Sequence, residues 1–216
     1  MNMTTNSNEN VWTVVVAAGS GTRFGGAKQF EMVGDRRVLD WSTAAAHSVS
    51  DGVVVVVPEA YVDSEGGIAG GSTRSSSVRC GLAAVPAGAT IICVHDAARP
   101  FASEHLFREV VAAVRNGADG AVPAVAVTDT IKQIDAQNVV IATPNRASLV
   151  AVQTPQAFRA SVLREAHATL PEGTDDATLV EALGKRVVVI PGESLNRKLT
   201  TPEDLEWARA AARGEV

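Results

Sequence analysis

The chain has 216 residues and a formal net charge of −5, with 19 Lys and Arg residues against 24 Asp and Glu residues. That length suits one large α/β domain with a buried core. No basic block stands out that could release counterions from a phosphate backbone, so we do not expect a nucleic-acid partner. Apolar residues make up 46% of the chain and aromatic residues only 4%, which predicts an interior built mainly from Ala and Val.

Residues 1–10 are polar and rich in Asn and Thr, and we expect a short disordered tail there. They show neither the basic patch nor the apolar core of a secretory signal. No apolar run reaches the roughly 18 residues that a spanning helix needs, so no membrane association is expected. Cys80 and Cys93 lack the spacing of a disulfide framework, which favours a reducing cytoplasm.

Five short runs rich in Val and Ile predict strands that are buried on both faces. They are Val11–Val16, Val53–Val57, Thr90–Val94, Ala121–Val127 and Arg186–Ile190. Helical patterns lie between them, and Ser103 and Thr201 are predicted to cap two of these helices. The alternation predicts a Rossmann-like three-layer α/β/α domain over residues 11–213, with a mostly parallel sheet.

Residues 128–150 break this alternation. Two short strands, Thr130–Ile134 and Val139–Ala142, flank the turn-like cluster Asp135-Ala136-Gln137-Asn138. Such a pattern predicts a β-hairpin. We therefore expect an arm that projects from the domain.

A Gly-rich segment, Ala17-Ala18-Gly19-Ser20-Gly21-Thr22-Arg23, follows the first strand, and Lys28 comes shortly after it. Small residues let backbone N–H groups approach an anion and the cations neutralise it, which favours a polyphosphate site. The dinucleotide fingerprint fails because Phe24 holds its third Gly position. The P-loop fails because Ala27 takes its lysine position.

Polar residues also follow two other predicted strands, at His95–Pro100 and at Thr128–Thr130. In parallel α/β sheets, ligands bind beyond the carboxyl ends of the strands. We therefore expect these segments and the Gly-rich loop to share one site.

Taken in order, these motifs resemble the 2-C-methyl-D-erythritol 4-phosphate cytidylyltransferase family, a branch of the nucleotide-diphospho-sugar transferase fold. The matching stretches are Ala17–Lys28, Gly70–Val78, Val94–Pro100, Asp129–Lys132, Thr154–Phe158, Thr174–Asp176 and Asn196–Leu205. The resemblance implies transfer of CMP from CTP to 2-C-methyl-D-erythritol 4-phosphate with release of pyrophosphate, in the non-mevalonate route to isoprenoid precursors. An acceptor phosphate oxygen attacks the α-phosphorus directly in that reaction, which agrees with candidate residues that are mostly cations.

The resemblance also implies roles for single residues. It makes four cations catalytic: Arg23, Lys28, Arg146 and Lys198. It implies CTP contacts at Ala17, Ala18, Gly19, Gly21, Gly71, Ser72, Ser77 and Asp96. It implies acceptor contacts at Arg99, Thr130, Arg146, Thr154, Thr174 and Lys198. In the family the arm residues cross to the other subunit, which implies a homodimer with composite sites.

Magnesium is the metal that the resemblance implies, held mainly by the CTP phosphates. Asp96 is the one candidate side-chain contact, and no dedicated protein ligands are expected. Two segments depart from the family pattern. Gly25-Gly26-Ala27 stands where many relatives have a longer insert ending in Pro, and Ser72 stands where many carry an acidic residue.

Other functions remain open at this point. The ribitol 5-phosphate cytidylyltransferases share the fold and the CTP half of the site, and Thr130, Arg146 and Thr174 should decide the acceptor. A non-catalytic nucleotide-binding module would be expected to lack key cations, which are present here. Sugar-1-phosphate nucleotidyltransferases commonly begin with Leu-Ala-Gly-Gly-x-Gly, which this chain does not have.

Overall fold

The computed structural model describes residues 10–19, 21, 24–169 and 172–216. The strands are β1 (Val11–Val16), β2 (Met32–Val33), β3 (Arg36–Arg37), β4 (Gly52–Val57), β5 (Ile68–Ala69), β6 (Ile91–Asp96), β7 (Gly120–Ala126), β8 (Gln133–Ile134), β9 (Val140–Ala142), β10 (Val150–Val152), β11 (Gln156–Arg159) and β12 (Val187–Pro191). The helices are α1 (Val38–His47), α2 (Val62–Glu65), α3 (Arg74–Ala84), α4 (Glu104–Arg115), α5 (Ala160–His167), α6 (Asp176–Ala182) and α7 (Pro202–Ala212). The tail expected at residues 1–10 lies almost wholly outside the described residues.

The main sheet has the order β10-β7-β11-β6-β1-β4-β5, with β12 paired to β7. Strand β1 lies between β4 and β6 and is parallel to both. Its side chains alternate between two cores: Val14 packs with α3, α5 and α6, and Val15 packs with α1 and α4 on the other face. This arrangement confirms the predicted three layers and the mostly parallel sheet.

All five predicted strands are present, with ends that shift by at most two residues, but β12 is partly exposed rather than buried on both faces. Five short strands were not predicted: β2, β3, β5, β10 and β11. Strand β11 is antiparallel and joins β6 to β7, and β10 is antiparallel to the end of β7. Strand β10 pairs with the carboxyl end of β7 and β11 with its amino end, so the two run in succession antiparallel to β7.

The predicted hairpin is present as a separate two-stranded sheet of β8 and β9, shorter than expected. Asn138 adopts a φ of +62° in its turn, and the Asp135 carboxylate accepts from the backbone N–H groups of Gln137 and Val139 at 2.9 Å. We call residues 128–150 the arm.

Both predicted helix caps are present. The Ser103 hydroxyl accepts from the backbone N–H of Leu106 at 3.0 Å, and Thr201 forms a reciprocal capping box with Asp204. Within the described part of the chain, no helix is both long and apolar enough to span a bilayer.

Candidate active site

A cavity of about 650 Å³, the large cavity, opens at the carboxyl ends of β1 and β6. Its lining comes from the loop after β1, the start of α3, the end of β6 and the loop before α7. A small cavity of about 220 Å³ adds residues of β10 and β11. Four residues line both cavities and define what we call the junction: Arg74, Asp96, Thr174 and Lys198.

The loop after β1 supplies a wall of small residues to the large cavity. Its members in that wall are Ala17, Ala18, Gly19 and Gly21. Gly21 has a φ of +63°, and a Cβ at this position would overlap the carbonyl oxygen of Gly26. Only glycine satisfies both conditions, so the sequence dictates this tight turn.

Lys28 follows that turn and begins a short 3₁₀ helix, Lys28–Phe30. Its Nζ donates to the carbonyl oxygen of Leu199 at 2.6 Å, and the residue lines the large cavity. This contact ties the Gly-rich loop to the loop before α7. Arg23 lies outside the described residues, so the role expected of it stays a prediction.

A second wall of the large cavity comes from the segment that leads into α3. A Cβ on Gly70 would overlap the methyl group of Ala18, so glycine allows this segment to pack against the first loop. The Ser77 hydroxyl accepts from the backbone N–H of Gly71 at 3.1 Å and donates to the Thr73 carbonyl at 2.9 Å. The predicted CTP contacts at Gly71, Ser72 and Ser77 therefore share one wall.

Asp96 ends β6 and supplies the carboxylate of the junction. Its Oδ2 accepts from Lys198 Nζ at 2.6 Å, and its Oδ1 accepts from Arg74 Nε at 3.1 Å. Burial alone would raise the pKa of Asp96, but the charges of Arg74 and Lys198 hold it well below its usual range. The junction is therefore an ionised carboxylate between two cations.

Arg99 lines the small cavity, where two main-chain groups hold its guanidinium. Nη1 donates to the carbonyl of Asn196 at 2.7 Å, and Nη2 donates to the carbonyl of Val152 at 3.3 Å. Its Nε has no hydrogen-bond partner among the described residues. A guanidinium with donors to spare in a cavity is suited to an anionic ligand.

Thr154 also lines the small cavity and fixes the end of β6. Its hydroxyl accepts from the backbone N–H of Asp96 at 3.0 Å and lies 3.1 Å from His95 Nδ1. Burial lowers the pKa of His95 to about 4, so its ring is neutral at pH 7. These contacts give His95 a structural role at the end of β6.

Most of the predicted site residues come together in the structure. The large cavity holds Ala17, Ala18, Gly19, Gly21, Lys28, Gly71, Ser72, Ser77, Asp96, Thr174 and Lys198, and the small cavity adds Arg99 and Thr154. Two residues are not brought there: Thr130 and Arg146 are exposed on the arm and line neither cavity. Arg146 Nη1 instead donates to the Thr128 carbonyl at 2.7 Å.

Several lining residues were not predicted as site residues from the sequence, and two of them are Arg74 and Gln29. Arg74 lies at the junction, and Gln29 is a buried residue of the large cavity whose Nε2 has no hydrogen-bond partner among the described residues. Arg74 belongs to a stretch that carries the family resemblance, and Gln29 directly follows another. Arg74 also follows the cap residue Thr73, which places it in the first turn of α3.

The side chains of the site offer few ligands for a magnesium ion, which prefers oxygen ligands. Among the described residues, no group of three or more His, Cys, Asp and Glu side chains could hold a metal. Asp96 is the only carboxylate among the described residues that line the large cavity. One carboxylate fits magnesium when phosphate oxygens and water supply the remaining ligands.

Comparisons with known proteins point to one family. The IspD family model, described as 2-C-methyl-D-erythritol 4-phosphate cytidylyltransferase, matches residues 11–213. The 2-C-methyl-D-erythritol 4-phosphate cytidylyltransferase of Nocardia farcinica is 43% identical, and the match covers 92% of each chain. The crystal structure of the enzyme of that name from Thermus thermophilus superposes with a TM-score of 0.82 at 36% identity, covering 94% of this chain and 99% of that one.

Some relatives are longer. The bifunctional enzyme IspD/IspF of Nitratidesulfovibrio vulgaris is 40% identical over 90% of this chain. The match spans 56% of that relative, so this chain corresponds to about half of its length.

Proposed function

This chain belongs to the 2-C-methyl-D-erythritol 4-phosphate cytidylyltransferase family, and we propose that it transfers CMP from CTP to 2-C-methyl-D-erythritol 4-phosphate. The junction is the observation that carries this proposal. It joins a cavity walled by small residues to a smaller one that contains Arg99. Two anionic substrates can lie there with their reacting ends together, which is the alignment that such a transfer needs. The product would enter the non-mevalonate route to isoprenoid precursors.

In the proposed reaction an acceptor phosphate oxygen forms a bond to the α-phosphorus of CTP. The bond from that phosphorus to the bridging oxygen of the β-phosphate breaks, and pyrophosphate leaves with the electron pair. No His or Cys is present among the described residues that line the cavities. Their absence from this lining supports direct attack, with catalysis by alignment and by cations that stabilise the developing charge.

We assign CTP to the large cavity and the acceptor to the small one. The triphosphate would lie against Gly19, Gly21 and Lys28, where backbone N–H groups and a cation are available. The base would lie against the wall of Gly71 and Ser77. Arg23 is assigned to the triphosphate from the family pattern alone.

The acceptor phosphate is assigned to Arg99 and Lys198, with Thr154 and Thr174 as hydroxyl contacts. Lys198 lies at the junction and would hold the attacking phosphate next to the α-phosphate. Magnesium belongs to the proposal as well: Asp96 would hold it together with the CTP phosphates. When bound, the ion neutralises phosphate oxygens and orients them.

The arm is assigned to a homodimer, in which Thr130 and Arg146 complete the acceptor site of the second subunit. Its exposed large apolar side chains support this assignment: Ile131, Ile134, Val139, Val140, Ile141 and Val150, each between 39% and 58% exposed. A group of exposed large apolar side chains on one segment favours an interaction site. The free thiols Cys80 and Cys93 support a reducing compartment, and we place the enzyme in the cytoplasm.

Pyrophosphate release from CTP and Mg²⁺ tests the proposal, with 2-C-methyl-D-erythritol 4-phosphate and ribitol 5-phosphate offered in parallel. Release with the first acceptor alone is the expected result. Release with ribitol 5-phosphate alone would make ribitol 5-phosphate the acceptor and leave the assignment of the CTP site unchanged. No release with either acceptor, while CTP still binds, would favour a non-catalytic nucleotide-binding module.

A further inference from the structure

Arg74 is the junction residue to which the chemistry above gives no role. It is the first residue of α3, directly after the cap residue Thr73. Its Nε donates to Asp96 Oδ1 at 3.1 Å, and its Nη1 donates to Asp176 Oδ2 at 2.8 Å. A single guanidinium therefore bridges two carboxylates at the place where the two substrates would meet.

Asp176 holds the other side of that guanidinium. It is 1% exposed, and its Oδ1 lies 3.0 Å from His167 Nε2. The start of α6 is itself fixed to the sheet, because the Gln156 side chain accepts from the backbone N–H of Ala177 at 3.3 Å. Leaving a buried carboxylate without its cation is strongly unfavourable, so Arg74 is held in place.

Lys198 is the more exposed of the two cations that contact Asp96. Its side chain is 38% exposed against 22% for Arg74, and Asp96 is its one ion-pair partner among the described residues. In the proposed reaction Lys198 Nζ turns to a substrate phosphate. Asp96 then keeps one cationic side-chain contact, the Arg74 guanidinium. Without Arg74, the charge of Asp96 would be offset only by Arg99 nearby and by the magnesium ion assigned to it, and Asp96 would repel both phosphate-bearing substrates more strongly.

We propose that Arg74 is a positioning residue: it is the fixed counter-charge of Asp96 that lets Lys198 leave this carboxylate for a substrate phosphate. Asp176 and His167 hold Arg74 in that position. The inference rests on the proposed cytidylyl transfer. It adds Arg74, Asp176 and His167, which act through Asp96 and Lys198. It distinguishes two cations at the junction: Lys198, which moves to a substrate phosphate, and Arg74, which stays paired with Asp96.

Arg74→Lys tests the proposal, because lysine keeps the charge and loses the planar fork that reaches two carboxylates. We expect kcat to fall about tenfold or more, the scale of one lost hydrogen bond to a charged group, while KM for CTP changes less than about threefold. Arg79→Lys is the matched control. Arg79 lies on the same helix, pairs with Glu172 at 3.0 Å and lines neither cavity, so its kcat should stay at the unmodified value.

Asp176→Asn is the second variant and carries the test if Arg74→Lys does not fold. Asparagine keeps the size and can still accept from Arg74 Nη1, but it removes the anchoring charge, and kcat should fall by about threefold to tenfold. If Asp176 acts through Arg74, the double variant should lose no more than Arg74→Lys alone. Thermal unfolding shows that each variant is folded at the assay temperature.

Two results would overturn this inference: kcat values near the unmodified enzyme in both folded variants, or losses that add in the double variant. Failure of the proposed function is a separate outcome, because the unmodified chain would then release no pyrophosphate. The activity of the unmodified chain distinguishes the two outcomes, and Arg79→Lys should follow it in either case.

Discussion

At the junction, polar side chains bond to groups from several elements of the chain, whereas those of the arm bond to one another. Asp96 at the end of β6 pairs with Arg74 of α3 and with Lys198 from the loop before α7. In the arm, Lys132 Nζ donates to Thr143 Oγ1 at 2.8 Å, and Arg146 donates to the Thr128 carbonyl. The junction is held by distant parts of one chain, while the arm is held locally and exposes apolar side chains.

Because the junction is complete within one chain, its chemistry can be assigned from a single chain. The chemistry of the arm cannot be assigned in this way. Charged groups fixed before the substrate arrives do not have to reorganise during the reaction, which favours catalysis. Arg146 has the right charge for a phosphate, yet it lies outside both cavities. Its proposed role depends on a second copy of the chain.

Lys28→Ala should have the largest effect, since it removes a cation from the large cavity. We expect kcat for pyrophosphate release to fall by at least about 10²-fold, the scale of losing one group that stabilises transition-state charge. Lys185→Ala is the control, because Lys185 pairs with Glu165 at 3.7 Å away from both cavities. A Lys28→Ala enzyme within a few-fold of the unmodified turnover would remove Lys28 from the catalytic set.

Arg146→Ala should raise KM for the acceptor and leave KM for CTP unchanged. Losing one hydrogen bond to a phosphate costs about 1.5–3 kcal/mol, so KM for the acceptor should rise by about 10- to 100-fold while KM for CTP stays unchanged. Steady-state kinetics with each substrate varied in turn measures both values. An equal rise in both KM values would place Arg146 outside the acceptor site.

Subunit mixing makes that prediction sharper. Arg146→Ala subunits mixed with Lys28→Ala subunits should regain part of the activity, because one composite site of each heterodimer then carries both intact residues. Lys28→Ala mixed with itself is the baseline. No recovery in well-mixed heterodimers would show that each site is built from one subunit.

Ile141→Lys tests the apolar surface of the arm. Ile141 is 57% exposed on β9, so a charge there should leave the fold of the single chain intact. Across an apolar interface the same charge would be desolvated, and we expect the dimer dissociation constant to rise about tenfold or more. Analytical ultracentrifugation over a concentration series measures it. An unchanged association constant would mean that this face of the arm is not the interface.

The strands and the phosphate-binding loop could be predicted because their signals are local. A run of Val residues indicates β1, and Gly21 is required by its own φ and by the nearby Gly26. The pairing of Arg74 is not local: its partners Asp96 and Asp176 are 22 and 102 positions away. No spacing rule links residues that far apart, so the junction appears only once the chain is folded.

Strand β11 was not predicted from the sequence for a related reason. Gln156–Arg159 contains no β-branched residue, and its four residues are too few to show alternation. The strand forms because β6 and β7 leave room for one between them. The two hydrogen-bonded neighbours, rather than local propensity, decide its conformation.

Thiol labelling compares the junction with the arm and disturbs the protein least, because it leaves the site residues unchanged. Cys93 lies in β6, three positions before Asp96, and is fully buried, which raises its pKa to about 12. Both its low thiolate fraction and its burial oppose alkylation, so it should react with iodoacetamide only when β6 opens.

In a Cys80→Ser background, a thiol introduced by Gln137→Cys at the exposed tip of the arm should react at the rate of a free thiol. We expect the two rates to differ by at least about 10³-fold, since Cys93 needs both ionisation and local unfolding. Rates within tenfold of each other would mean that β6 opens as readily as the arm, and the junction would then not be fixed in advance of substrate.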